Sequence, residues 1–293
     1  MGFNLLACAI LLAGGENPPL RSNLSAAAIA DKNVQARGGL RAWQAVKTMK
    51  MSGKMGVGGN QRATLAVPMP DSPNGRPTQP IKLGQRPAKE VELPFVMELE
   101  RPRKMRFELQ FNGQTAVQVY DGANGWKLRP FLNRKVVEPY TPEEMKKAAL
   151  QADLDGYLID YAAKSTRVEL AGMEKVEDRD NYKLKLTLKD GNSVNVWIDA
   201  LTFLETKIQG TPRVMDGIEH PVEVYYRDYR LVNGLQIPHV LETHVLPVGR
   251  TVMGLKETPV PAEKTVIERV LINPKLDDIA FSKPQIPGQT AAN

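Results

Sequence analysis

The sequence predicts a mainly β protein of the α+β class, in which one curved antiparallel sheet curls around one or two helices. Three observations lead to this fold class. Long stretches alternate between apolar and polar side chains with a period of two, the pattern of half-buried strands. Turn dipeptides such as Asn112-Gly113 and Asp190-Gly191 separate several of them. The intervals are too short for the crossovers that parallel strands need, so roughly ten strands should pair antiparallel in a single sheet.

Length and composition exclude several classes of protein. The chain has 293 residues, of which 42% are hydrophobic and 25% are charged, as in ordinary globular proteins. This length also fits a single all-β domain. No apolar run of about 18 residues follows the N-terminus, which excludes a polytopic membrane protein. The single cysteine excludes a disulfide scaffold and a zinc site built on thiolates.

The N-terminus is typical of an export signal. Residues 1–15 carry no charge, end in small residues and are followed by the polar Glu16, so we expect a signal peptide over residues 1–15 and a linker over residues 16–24. The basic n-region is missing. Cys8 lies in a Leu-Leu-Ala-Cys sequence that resembles a bacterial lipobox. Few residues precede Cys8 and apolar residues follow it, so a lipid anchor at Cys8 is the weaker alternative.

The domain begins with a helix and a strand. Ser25 is a suitable N-cap, and an alanine-rich apolar stripe predicts one helix over residues 25–46, with Gly38 and Gly39 as a weak point within it. The period then changes to two and predicts a half-buried strand, with Met49, Met51, Met55 and Val57 on one parity. Residues 68–94 are rich in proline and predict a long mobile loop inserted into the domain.

The most regular alternation in the chain covers residues 95–111. We expect Pro102 to interrupt this strand as a bulge or an edge position. Arg101 and Arg103 fall on the apolar parity, where a buried guanidinium needs a partner. The apolar side chains of that parity are Phe95, Met97, Leu99, Met105, Phe107, Leu109 and Phe111.

The remaining elements follow from turn and capping signals. A hairpin partner over residues 114–120 leads through a second turn to Trp126. Thr141, Pro142 and Glu144 form a complete helix start, and that helix should run to about Asp153, with a second helical piece over residues 156–163. From residue 166 onward we expect only strands, including residues 182–188, 194–198, 203–209, 222–231, 236–246, 250–255 and 265–272.

Signals for catalysis, metals and cofactors are poor. The sequence has no nucleophile elbow, Walker A loop or zinc-protease helix motif. Asp153-x-Asp155-Gly156 resembles the start of a calcium loop without its later ligands, and helix capping is the better interpretation. His239 should project from the face opposite Glu242 and His244, so we expect partly exposed structural histidines. We therefore predict no enzyme, no metal and no cofactor.

The charge balance leaves two interpretations open. The formal net charge is +6, but lysines and arginines are scattered and aromatic residues amount to only 6%, so no nucleic-acid partner is expected. An anionic membrane surface is a better partner for the charge. Plain solvation explains it equally well.

The methionines and phenylalanines of the predicted strands share one face of the sheet. Methionine adapts to irregular apolar shapes, so this face could line a lipid cavity. An ordinary core would produce the same alternation. Both interpretations stay open on these residues alone.

Several short motifs occur in a characteristic order and spacing over about residues 26 to 285. The motifs are Ala36-Arg-Gly-Gly39 with Trp43, Glu98-Leu-Glu-Arg-Pro-Arg-Lys-Met-Arg-Phe107, Tyr120-Asp-Gly-Ala-Asn-Gly-Trp126 with Pro130, Tyr182-Lys-Leu-Lys-Leu186, Val196-Trp-Ile-Asp199 with Thr202, Tyr229-Arg230 with Gly234 and Pro238, and Ile272-Asn-Pro-Lys-Leu-Asp-Asp278 with Phe281. Together they resemble the LolA family of periplasmic lipoprotein carriers, and more closely the longer bacterial proteins called outer-membrane lipoprotein-sorting proteins.

The resemblance implies an unclosed β-barrel over residues 25–285, with helices as a lid, an apolar cavity for acyl chains and a C-terminal tail over residues 286–293. It assigns the lid contact to Arg101. The insertion over residues 68–94 and the chain's length depart from a minimal carrier. The cavity residues we predict are Met49, Met51, Met55, Phe95, Met97, Leu99, Met105, Phe107, Leu109, Phe111 and Trp126.

The function implied by this resemblance is that of a non-enzymatic carrier in the periplasm. Its partners would be the acyl chains of a lipoprotein or lipid and an outer-membrane acceptor protein. The same fold also serves as an envelope-stress sensor, so a sensory or protein-interaction module is the alternative.

Overall fold

The structure is a computed structural model that describes residues 23–57, 90–130, 134–215, 217–249, 251–252, 255–256 and 260–286. Several predicted segments lie outside the described residues. These are the signal peptide with Cys8, most of the linker, residues 68–89 of the insertion and the C-terminal tail apart from residue 286.

The described residues form three helices and fifteen strands. In chain order they are α1 (Ala26–Ala36), α2 (Leu40–Ala45), β1 (Thr48–Val57), β2 (Val91–Glu100), β3 (Lys104–Phe111), β4 (Gln114–Tyr120), β5 (Gly125–Arg129), β6 (Arg134–Pro139), α3 (Pro142–Gln151), β7 (Arg167–Val176), β8 (Arg179–Thr187), β9 (Ser193–Asp199), β10 (Glu205–Met215), β11 (Ile218–Val232), β12 (Leu235–Val245), β13 (Thr251–Val252), β14 (Leu255–Lys256) and β15 (Glu263–Ile272).

Thirteen strands pair in one antiparallel sheet, which confirms the predicted fold class. The order across the sheet is β6-β5-β4-β3-β2-β1-β15-β12-β11-β10-β9-β8-β7. It consists of two six-stranded meanders, β1–β6 and β7–β12, joined by β15, which pairs with β1 on one side and β12 on the other. Within the described ranges the two outermost strands, β6 and β7, do not pair with each other, so the sheet is unclosed. The short strands β13 and β14 pair separately.

The predicted helix over residues 25–46 is wrong, because the structure has two helices there. Ser25 caps α1 as expected, with its Oγ accepting a hydrogen bond from the amide of Ala28 at 3.1 Å. Gly38 and Gly39 then adopt φ values of +116° and +89°, which no α-helix contains. These two glycines turn the chain and allow α2 to pack on the sheet separately.

The predicted interruption at Pro102 is a hairpin turn rather than a bulge. Strands β2 and β3 are antiparallel neighbours, and the chain reverses between Glu100 and Lys104. The apolar side chains before and after this reversal stay on one face of the sheet, because residues that pair directly across two strands share a face. The pairs are Phe95–Leu109, Met97–Phe107 and Leu99–Met105. Strand β2 also begins at Val91, so residues 91–94 belong to a strand and not to the predicted loop.

The second predicted helical piece, over residues 156–163, is also absent. Residues 152–165, here called the covering segment, form a series of turns between α3 and β7. Gly156, Asp160 and Ser165 have φ values of +74°, +54° and +58°, a left-handed conformation that interrupts any α-helix. Since β6 and β7 are the two edges of the sheet, α3 and the covering segment cross its open side.

Buried side chains form three clusters. The first lies between the inner face of the β1–β6 meander, strands β12 and β15, and helices α2 and α3, with Trp43 and Ile267 among its members. The second packs α1 and the covering segment on strands β8–β10. The third lies on the opposite face of β4 and β5, where Ala280 and Phe281 of the C-terminal segment cover Val119 and Leu128.

Candidate functional site

A cavity of about 470 Å³ opens between the inner faces of the two meanders. The first meander contributes mainly methionine and phenylalanine side chains. The second contributes branched aliphatic side chains, including Val196, Ile208, Val224 and Leu241. Residues 150, 151 and 153–158, from the end of α3 and the covering segment, form another wall. The cavity is also lined by Arg37, Trp43, Thr265 and Ile267. The result is a mostly apolar chamber that lies between the sheet and its covering segment and is open to solvent on one side.

Most of the residues predicted for the cavity lie together on its wall. The structure places seven of them there: Met49, Met51, Met55, Phe95, Met97, Leu99 and Phe107. Met105 and Leu109 belong to the same apolar cluster without lining the cavity. Phe111 lies at the far end of the β3–β4 hairpin, beside Val91 and Leu93.

Trp126 lies on the opposite face of the sheet, away from the cavity. It pairs with Val119 across β4 and β5, and Val119 points away from the inner face that carries Tyr120. Trp126 therefore packs in the third cluster and not in the cavity. The alternation of apolar and polar residues did not predict this position, because it depends on the path of the turn between β4 and β5.

The degree of burial along the inner face shows that this core is not completely filled. Met49, Phe95 and Leu99 are buried, with 3–5% of their surface exposed. Met51, Met55 and Met97 lie on the same inner wall but are only half-buried. Well-packed protein cores leave few voids larger than a water molecule. Flexible methionine side chains that face an unfilled chamber can adjust to an apolar ligand.

Arg101 joins helix α2 to the covering segment. Its Nε donates to the carbonyl of Val46 at 2.7 Å, and its Nη2 donates to the carbonyl of Trp43 at 3.0 Å. The same Nη2 lies 2.5 Å from Oδ2 of Asp155, whose side chain is only 2% exposed. The guanidinium therefore donates hydrogen bonds to carbonyls at the end of a short helix, and it also anchors the segment that covers the cavity.

Asp155 is the centre of this anchor. The Nζ of Lys164 lies 2.7 Å from Oδ1 of Asp155, 3.0 Å from Asp153 and 2.5 Å from the carbonyl of Gly156. Burial opposes ionisation of Asp155, but a hydrogen bond with Asp153 and the charge of Lys164 outweigh it and lower its pKa to about 2. Burial and the hydrogen bond shared with Asp155 raise the pKa of Asp153. Helix capping, the function that the sequence suggested for this motif, does not include the contact of Asp155 with Arg101, which is 54 residues away along the chain.

A second anchor lies deeper in the chamber, at the end of α1. Arg37 Nη1 donates to the carbonyl of Asp155 at 3.1 Å and to Oε1 of Glu205 at 3.2 Å. The guanidinium carbon lies 4.5 Å from the ring centroid of Trp43. Tyr229 donates through its hydroxyl to the backbone carbonyl of Glu205 at 3.0 Å. Burial of this hydroxyl, together with the charge of Glu205, raises the pKa of Tyr229.

The structure shows no site for a metal in its described part. No group of three or more histidine, cysteine, aspartate and glutamate side chains comes close enough to bind an ion within those residues. The expectation of partly exposed histidines is wrong for His220 and His239, which are 1% and 4% exposed. Each ring is close to a backbone carbonyl, at 3.1 and 3.0 Å. No helix among the described residues is long and apolar enough to cross a membrane.

Solved structures share this architecture over most of the chain. A LolA superfamily protein from Nitrosomonas europaea aligns with a TM-score of 0.50 and 14% identity, over 89% of this chain and 98% of its own. A structure from Vibrio parahaemolyticus, described as an outer membrane lipoprotein-sorting protein domain, aligns with a TM-score of 0.51 and 12% identity, over 88% and 96%. No protein-family model matches the sequence, and no curated protein matches it. The chain therefore has a LolA-like fold, the fold that its sequence motifs predicted.

Proposed function

We propose that the protein is a non-enzymatic carrier in the periplasm, which holds the acyl chains of a lipoprotein or lipid and delivers them toward the outer membrane. The observation that carries the proposal is the unfilled, methionine-lined chamber beneath the covering segment. The cavity residues are the seven predicted side chains that line it, and Arg101 is the residue that holds the cover. The proposed partner is an outer-membrane acceptor protein that receives the cargo.

The physical driving force for such binding is the removal of apolar surface from water. Each acyl methylene that enters the chamber contributes about 0.8 kcal/mol. A volume of about 470 Å³ lies within the range of ordinary ligand pockets. The wall from the first meander provides only apolar side chains, so affinity should depend mainly on the length of the acyl chain. The LolA-like fold of the chain supports the same function.

Filling the chamber should abolish binding while the sheet still forms. In Met51→Trp, a larger ring replaces a half-buried methionine that lines the cavity opposite Met97. We expect the purified wild-type protein to co-isolate with lipid and, once delipidated, to bind a fluorescent fatty-acid probe. Met51→Trp should lower the affinity for this probe at least about tenfold, because the volume for the acyl chain is gone.

The matched control is Lys54→Trp, which adds the same ring at an exposed position of the same strand. It should bind the probe like the wild type. Native mass spectrometry of protein taken directly from the cell envelope tests whether lipid occupies the chamber. An empty chamber together with no probe uptake would contradict the carrier function, and an envelope pull-down with and without added lipid would then test the sensory or interaction module.

A further inference from the structure

A second concavity of about 590 Å³ lies next to the apolar chamber, and we call it the basic groove. Its walls come from the β2–β3 turn, α3, the covering segment, the β8–β9 turn and Thr211 of β10. Its cationic side chains are Arg103, Lys146, Lys147, Lys164 and Lys189. Its acidic side chains are Asp153 and Asp190. Cations from both meanders, from α3 and from the covering segment thus line a single opening.

Most cations of the basic groove have no anionic partner within the described part of the chain. Lys164 is engaged by Asp153 and Asp155, as described above. Among the residues that the structure describes, the side chains of Arg103, Lys146, Lys147 and Lys189 make no ion pair and no hydrogen bond. Asp190 is occupied by the amides of Asn192, both in the backbone and in the side chain. Like charges that line one opening repel one another, so an anion in the basic groove would relieve that repulsion.

The basic groove and the apolar chamber share a wall. Leu150, Asp153, Gly156 and Tyr157 line both of them. A ligand can therefore place apolar chains in the chamber while a charged group remains in the solvent-facing groove beside it. This is the arrangement that an amphiphile with an anionic headgroup requires.

We propose that the basic groove binds the phosphate-bearing headgroup of an anionic phospholipid whose acyl chains occupy the chamber. The inference rests on the proposed carrier function and names the class of cargo. Guanidinium and ammonium groups donate charge-assisted hydrogen bonds to phosphate oxygens. Because the four unpaired cations are exposed, their contribution should be moderate and should fall as salt is added.

The test compares two phospholipids with identical acyl chains, phosphatidylglycerol and phosphatidylcholine, on the delipidated full-length protein. Both carry a phosphate, but only the first has a net negative charge. We expect the wild type to bind phosphatidylglycerol about tenfold more tightly at low salt, and this preference should shrink at high salt.

The groove variant R103Q/K146Q/K147Q/K189Q should lose most of that preference and keep its affinity for phosphatidylcholine. The matched control, R41Q/K185Q/K275Q/K283Q, removes one arginine and three lysines from exposed positions outside the basic groove. It should keep the preference, since the effect belongs to the groove and not to total charge. Circular dichroism and thermal melting check that both variants fold.

Equal affinity of the wild type for both lipids, or loss of the preference in both variants, would overturn the headgroup site. If neither lipid binds, the carrier function itself fails. If inorganic phosphate alone binds as tightly as the lipid, the groove is a phosphate site and not a headgroup site. If the groove variant loses only its sedimentation with phosphatidylglycerol vesicles, the groove is a membrane-docking surface and the proposal is wrong.

Discussion

At the scale of single residues, Asp155 decides how the cavity is covered. A buried carboxylate is costly unless it is paired and hydrogen-bonded. The carboxylate of Asp155 accepts hydrogen bonds from Arg101 in the β2–β3 turn and from Lys164 at the end of the covering segment. Arg37 donates a hydrogen bond to the backbone carbonyl of Asp155. These contacts replace the water that the carboxylate loses. The hydrogen bond with Asp153, together with Lys164 and Arg101, outweighs burial and lowers the pKa of Asp155 to about 2 from the ordinary value of 3.8.

Replacing this carboxylate should make the stability of the protein less sensitive to acid. Because the folded-state pKa of Asp155 is depressed, its contribution is complete above pH 3.8 and disappears as the pH falls through about 2. We expect Asp155→Asn to lower the free energy of unfolding by about 2 kcal/mol at neutral pH, and most of that difference to vanish near pH 2.

Denaturant titrations of the wild type and the variant at both pH values measure this change. Asp31→Asn, at an exposed position of α1, is the control and should shift the free energy of unfolding by less than about 0.5 kcal/mol. A difference for Asp155→Asn that does not depend on pH would show that the ion pairs do not govern its effect.

At the scale of elements, the break between α1 and α2 sets the position of the two anchors. Gly38 and Gly39 bend the chain so that α1 packs on the second meander while Trp43 of α2 packs in the first cluster. Gly38 also lies against the turn before β12: a Cβ there would be 2.4 Å from the carbonyl oxygen of Gly234. Both the left-handed backbone and this close approach require glycine.

Adding one methyl group at Gly38 should therefore be costly. Gly38→Ala must strain the backbone and displace a backbone oxygen, so we expect a loss of at least about 3 kcal/mol in the free energy of unfolding. Gly191→Ala is the matched control, because Gly191 has φ of +86° but no atom within 4 Å of an added Cβ. It should cost about 1 kcal/mol. Equal losses in thermal or chemical unfolding would show that the close approach is unimportant.

At the scale of the whole molecule, the unclosed sheet and its cover act together. Strands β6 and β7 are the two edges, and the chain connects them through α3 and the covering segment. Arg101 is one tie between this crossing chain and the sheet, since it contacts α2 and Asp155 from the turn of the first meander. The cover contributes residues 153–158 to the wall of the chamber between the two meanders.

Cutting that tie should speed the exchange of cargo. In Arg101→Leu, the covering segment loses one of the cations that bind Asp155, and its opening becomes less costly. We expect a neutral acyl probe to dissociate several-fold faster, as measured by stopped-flow displacement, with a smaller effect on the melting temperature. Arg103→Leu changes the neighbouring exposed arginine and should leave the exchange of the neutral probe unchanged. Equal rates in Arg101→Leu and the wild type would remove Arg101 from this role.

Local patterns in the sequence were sufficient for the strands and for one wall of the chamber. Alternation over residues 95–111 predicted which side chains share a face, because that property depends only on the geometry of an extended chain. Turn dipeptides and the caps at Ser25 and Thr141 are likewise local signals, and the structure contains them. A single antiparallel sheet followed from the short intervals between its strands.

Tertiary structure alone decided how the faces meet. The pairing of β1 with β15, the position of Trp126 on the outer face and the contact of Arg101 with Asp155 join residues far apart along the chain or depend on the exact path of a turn. No alternation of apolar and polar residues encodes such distant partners. Sequence thus determined a sheet with one methionine-rich face. The tertiary structure places that face against the second meander, and a chamber remains between them because the side chains that meet there do not occupy all of its volume.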